Sequence, residues 1–329
     1  MSCGETVSFS PSGDLLACAH QLLHWPSMDP ITDLGGWGLG WGTFDGAEHL
    51  LLRTAATGYE TVEGDGQHHP IDTTALGGRV AAGWSPRADA VWLRSGIQTP
   101  VLRLDAWSPN ETRQLASVRN DIGATNIIAS QNTEWLAMWF SGCATSSPGG
   151  SRCALTIAVT QPGVGFLVPL VVDLEGVLGS VWVADDGTVL FTVADANGRL
   201  DLWRAPVDGS PEVWFGGSTT SPLADAQLAV TSAETAAVVD LRTASETELD
   251  FPPDVSPAEV LSVSPDGVWI ALQSREDSVT FRRRTSGSPQ VDLPISPPTR
   301  VSVFWPGDDH FAAVLFGPPP TTTVVRIAP

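Results

Sequence analysis

The 329-residue chain has no lysine. All 17 of its basic residues are arginine, and they stand against 37 acidic residues for a formal net charge of −20. The plain account of the missing lysine is a GC-rich coding sequence. The charge balance has a physical consequence regardless: so negative a surface repels phosphate backbones and anionic headgroups, so neither nucleic acid nor a membrane surface is an expected partner. Long apolar runs are also missing. The most apolar stretch, Phe166 to Val183, is interrupted by Pro169, Asp173 and Glu175 and reads as two strands and a turn, so no membrane insertion is expected. The opening MSCGETVSFS has neither a basic nor an apolar leader segment. As written, the chain reads as cytoplasmic; it reads as extracytoplasmic if a leader has been removed and Cys143 and Cys153 are bridged.

Cysteine is scarce, with four in all. Cys143 and Cys153 flank ATSSPGGSR symmetrically about Pro148, and in a hairpin they would face each other closely enough for a disulfide; the alternative is two ordinary small residues. Cys18, in the run LLACAH, reads as a buried thiol. Catalytic signatures are absent as well. There is no GxSxG elbow and no HExxH helix, and the nearest approach to an Asp box, ADDGTVLF, lacks the tryptophan. No catalytic residue and no cofactor is assigned, and these absences weigh against an enzyme.

What the chain does have is turn residues, with 32 glycines and 26 prolines, and a repeated phrase. The phrase is a β-rich run, a Ser-Pro-Asp-Gly-like turn and a second apolar run. Its best copy is EVLSVSPDGVWIALQS, from Glu259 to Ser274. Others are TVSFSPSGDLLACAH from Thr6, VAAGWSPRADAVWLRSG from Val80, SVWVADDGTVLFTVAD from Ser180 and VSVFWPGDDHFAAVLFG from Val301. Weaker copies start at Trp41, Asn126 and Ser221. The turns fall near residues 12, 45, 87, 132, 186, 225, 266 and 307. β-branched and aromatic residues fill the runs, and each unit reads as four strands. No long helical period competes.

Short antiparallel strands in eight units of roughly forty residues have exposed edges unless they close radially. The expectation is therefore all-β: one propeller domain over residues 1–329, built of four-stranded antiparallel blades. Eight blades are preferred; seven is the alternative if the first unit lends strands to the last blade. The SPDG phrase resembles the repeat of TolB-like propellers, which also occurs in tricorn protease and prolyl-oligopeptidase relatives. That resemblance implies a non-catalytic scaffold that binds a protein or peptide. The alternative is an enzyme or a small-ligand or metal-binding protein with its site in the central channel, where Asp185 and Asp186 would act; their turn positions fit structural hydrogen bonding better.

The candidate partner-binding residues lie on the face that carries the blade-connecting segments. Trp37 and Trp41 stand in the glycine-rich GGWGLGWG, and Thr145, Ser146 and Ser147 in an unusually long hairpin. Arg283 belongs to the one basic run, Arg282-Arg283-Arg284, whose plainer reading is pairing with Glu276 and Asp277. The other tryptophans, Trp84, Trp182, Trp305, Trp92, Trp135 and Trp269, recur at positions suited to packing between blades. The six histidines are His20, His24, His49, His68, His69 and His310. His49 and His310 sit just after equivalent turns, and His68-His69 lie in GDGQHHP, read as a solvated polar loop. No metal ligand is assigned.

Overall fold

The computed structural model describes residues 7–18, 20–54, 58–72, 80–85, 87–95, 101–119, 124, 126–144, 152–161, 168–174, 177–194, 200–223, 226–275, 278–285, 290–295, 300–305, 311–316 and 322–327. Regular structure in these residues is β-strand throughout, apart from one 3-10 turn at Pro257–Glu259. No helix among them is long and apolar enough to cross a membrane.

The strands form antiparallel sheets in simple chain order, unit after unit. Unit one spans residues 7–33, unit two 36–71, unit three 80–119 and unit four 126–174, each with four strands. Units five and six are continuous. The twelve-residue strand Glu212–Leu223 pairs at its start with Leu200–Ala205 of unit five and, from Thr219 on, with Gln227–Thr231 of unit six. Unit seven has four strands within residues 260–294, and unit eight shows three within 300–327.

The repeated turn gives units one, three, four and seven the same start. In unit seven the Ser264 carbonyl accepts from Gly267 N at 2.8 Å, and its hydroxyl accepts from Trp269 N at 2.8 Å, which aims the second strand back along the first. Unit one repeats this with Ser10, Gly13 and Leu15. Units three and four keep the geometry with a non-glycine at the left-handed position, Ala88 at φ 55° and Thr133 at φ 60°. Holding a side chain there costs on the order of 1–2 kcal/mol, so these copies without glycine at that position adopt the same turn at some strain.

Every junction between successive units holds an apolar cluster. Leu15 and Leu22 of unit one meet Leu50, Leu52 and Val62 of unit two. Phe44, Leu51, Tyr59 and Ile71 of unit two meet Val91, Leu93 and Trp107 of unit three. The series continues to unit eight, where Val301 and Val303 pack on Phe281 of unit seven. The tryptophans expected between blades are there: Trp92 and Trp269 are buried, and Trp135 and Trp305 pack against the junction clusters. First strands of adjacent units lie side by side from unit one through unit five, and again between six and seven.

The reading of Cys18 as a thiol is corrected: it is buried and disulfide-bonded. Cys143 and Cys153 stand directly opposite each other in the second and third strands of unit four, the register that the hairpin reading requires.

Candidate functional site

Two features converge on unit two. The first is its opening strand, Gly36–Phe44, where glycine alternates with large apolar residues. Backbone sits so close to its neighbours that glycine is required: a Cβ on Gly42 would stand 2.1 Å from the Trp84 ring, and one on Gly36 would stand 2.2 Å from the Arg53 carbonyl oxygen. A register shift between Gly38 and Gly40 then separates two tryptophans that look equivalent in sequence. Trp37 is 51 % exposed and Leu39 46 % exposed. Trp41 is half-buried against the unit-one cluster and donates its indole N–H to Ser8 Oγ at 2.9 Å. Trp41 is thus engaged within the fold, while Trp37 stands out from it. Leu39 joins Trp37 as the exposed pair, and the Gly-x-Gly alternation was the signal for it.

The other expected contacts are dispersed. Arg283 is exposed over the Trp269 ring at 5.4 Å, beside the Ser-Pro-Asp-Gly turn; Trp37 lies at the opposite end of its own sheet, next to the hairpin between second and third strands. Thr145, Ser146 and Ser147 lie outside the described residues, as do His310, Glu276 and Asp277. The acid that pairs with Arg282 is Asp254, at 2.7 Å, and Arg284 donates to the carbonyls of Gly267 and Asp250. Hydrogen bonding at Asp185 and Asp186 is structural. The Asp185 carboxylate accepts from Asn132 N of unit four while its own N–H donates to Arg242 O of unit six, and Asp186 accepts from Thr188 N.

The second feature is polar, and it corrects the loop reading of His68-His69. Both lie on the fourth strand of unit two, His68–Ile71, paired with Tyr59–Glu63. Neighbours on a strand face opposite ways. His68 Nδ1 meets Glu60 Oε1 at 3.1 Å, while His69 Nε2 meets Glu63 Oε2 at 3.4 Å. Glu63 is the register partner of His49 on the second strand, so His49, Glu63 and His69 form one cluster across three adjacent strands. One potential ligand atom from each lies within 4.8 Å of the others.

This cluster continues the apolar junction with unit three. His49 precedes Leu51 by two residues, and His69 precedes Ile71 by two, so the polar trio lies on the face that buries those side chains. Phe44 packs edge-on to the His49 ring at 4.9 Å. His49 is 3 % exposed, yet its Nδ1 has no hydrogen-bond partner; Thr61 Oγ1, opposite His69, is fully buried and also has none. Leaving a buried polar group unsatisfied costs about 1–3 kcal/mol. Burial lowers the His49 pKa, while Glu63, Asp65 and Asp45 oppose that shift with their negative charge. A neutral imidazole beside a carboxylate and a second imidazole is a donor set that transition metals accept. Glu63 was the residue missed in sequence, because only the strand register joins it to His49.

No family model matches the chain, and no curated protein matches it. Solved structures similar to it include a puromycin hydrolase, at 14 % identity over 95 % of this chain and 58 % of that one, with a TM-score of 0.42. Prolyl oligopeptidase B from Galerina marginata is 12 % identical over 88 % of this chain and 48 % of its own, with a TM-score of 0.44. TolB from Acinetobacter baumannii is 15 % identical over 85 % of this chain and 74 % of its own, with a TM-score of 0.32. The chain thus spans about half the length of the two hydrolases. TolB and a prolyl oligopeptidase are among the proteins whose repeat the Ser-Pro-Asp-Gly phrase resembles. At these TM-scores, none of the three assigns an activity or a partner to this chain.

Proposed function

We propose that the chain is a non-catalytic β-propeller scaffold that binds a protein or peptide, with the first strand of unit two as part of its contact surface. The eight units serve as blades, and the ring closes between unit eight and unit one. The observation that carries the reading is the exposed pair Trp37 and Leu39. They stand on a strand whose glycines lock its backbone against Arg53 and Trp84. Rigid aromatic and aliphatic side chains held out from a fixed backbone lose little entropy on binding, which is what an interface anchor needs. The structural hydrogen bonding of Asp185 and Asp186 favours this reading over a channel enzyme.

The test is affinity purification from the native source with wild type and a Trp37→Ala/Leu39→Ala variant. Hydrogen exchange on the purified complex then locates the contact. The reading expects a partner that the variant loses, with protection over residues 36–42. A partner kept equally by the variant, or protection confined to other units, would overturn it.

A further inference from the structure

We infer that His49, Glu63 and His69 form a binding site for a divalent transition-metal ion of the zinc class, at the junction of units two and three. The inference stands apart from the scaffold reading, because these residues occupy the second, third and fourth strands of unit two, and Trp37 the first.

Four observations converge. The donor types are right: two borderline imidazoles and one carboxylate are a ligand set zinc accepts, with a fourth position left for water or a ligand. The spacing is right. Donor atoms on one tetrahedral ion at about 2.0–2.1 Å stand roughly 3.4 Å apart, and His69 Nε2 already lies 3.4 Å from Glu63 Oε2. All three donor atoms fall within 4.8 Å, so small side-chain rotations bring them onto one ion. The site also has unmet valence, in the partnerless buried His49 Nδ1 and Thr61 Oγ1. A metal takes up imidazole nitrogen, and a metal-bound water gives Thr61 a partner. Lastly, the local field suits a cation: Glu63, Asp65 and Asp45 all act on the His49 ring, in a chain of net charge −20.

The three strands preorganise this set. His49 and Glu63 face each other across one ladder, His69 sits diagonally across the next, and Phe44 backs the His49 ring. A site on paired strands needs less ordering on binding than one on a loop.

The experiment is titration of the tag-free full chain with Zn²⁺ by calorimetry, and with Co²⁺ by absorbance. The expected result is one ion per chain at micromolar affinity or better, a tetrahedral cobalt spectrum and a zinc-dependent rise in melting temperature. Glu63→Gln and His69→Ala should each weaken binding by tenfold or more. Neither residue is fully buried, so both variants should fold, which circular dichroism checks. His68→Ala, on the opposite face and bonded to Glu60, should bind as wild type does. Absence of stoichiometric binding, or binding that falls equally with His68→Ala and with the two ligand variants, would overturn the assignment.

Discussion

The indole N–H of Trp41 donates to Ser8 Oγ at 2.9 Å and fixes the first strand of unit two against the first strand of unit one. Two other junctions use the same device. Trp84 donates to Gly40 O at 2.9 Å between units three and two, and Trp305 donates to Ser262 Oγ at 2.9 Å between units eight and seven. In each case one aromatic ring supplies apolar cover for the junction and one N–H sets its alignment. Neither part alone would both seal and align two sheets.

Trp41→Phe therefore keeps most of the buried ring and removes the aligning bond. It should destabilise the chain by about 1 kcal/mol, read as a lower urea midpoint. Trp37→Ala, a few residues away but exposed, should stay within about 0.5 kcal/mol of wild type. Equal losses for the two would contradict the division between structural and contact tryptophans.

Gly42→Ala adds a single methyl group where the Trp84 ring already lies 2.1 Å from the Cβ position. Either the ring or the strand must move, and the Trp84 bond to Gly40 O resists both. A loss of about 1–3 kcal/mol is expected, with a lower melting temperature and altered tryptophan fluorescence. A neutral outcome would show that the junction of units two and three is loosely packed.

Asp185→Ala removes the acceptor for Asn132 N, a bond between units four and five. The expected cost is about 1 kcal/mol, measured by equilibrium unfolding. Asp185→Asn should recover part of it, because the amide oxygen still accepts. A catalytic role would instead leave stability unchanged in both variants.

The Arg282–Asp254 pair predicts a pH dependence. The hydrogen bond from Arg282 holds the Asp254 carboxyl below its ordinary value of 3.8. The folded chain therefore releases that proton more readily than the unfolded chain. The pair's contribution is complete above 3.8 and is lost as pH falls through the lower, folded-state value. Asp254→Asn should lower the unfolding midpoint at neutral pH, and its difference from wild type should close in acid. A gap that persists undiminished at the acid end would mean that the pair adds no pH-linked stability.

Much of the architecture was legible because it is written locally. Ser264, Asp266 and Gly267 carry their turn in four consecutive residues, and the same phrase marks Ser10 and Gly13. What was hidden depends on register over longer distances. Nothing near Arg282 in sequence identifies Asp254, 28 residues earlier, as its partner. Trp37 and Trp41 share one motif, and only the shift between Gly38 and Gly40 sends one outward and the other inward. His49 and Glu63 meet only once the second and third strands of unit two are aligned, and a slip of one residue would place them on opposite faces.

The strand Glu212–Leu223 passes from one sheet to the next, bending at Gly217, whose φ is 57°. A chain of repeats ordinarily gives way at the joints, where one unit ends and another begins. Here the joint between units five and six is itself a strand, clamped at Gly217 N by the Asp201 carboxylate at 2.7 Å. Pulled from its two ends, the molecule should shed other units singly and surrender these two together, as one mechanical block of double length.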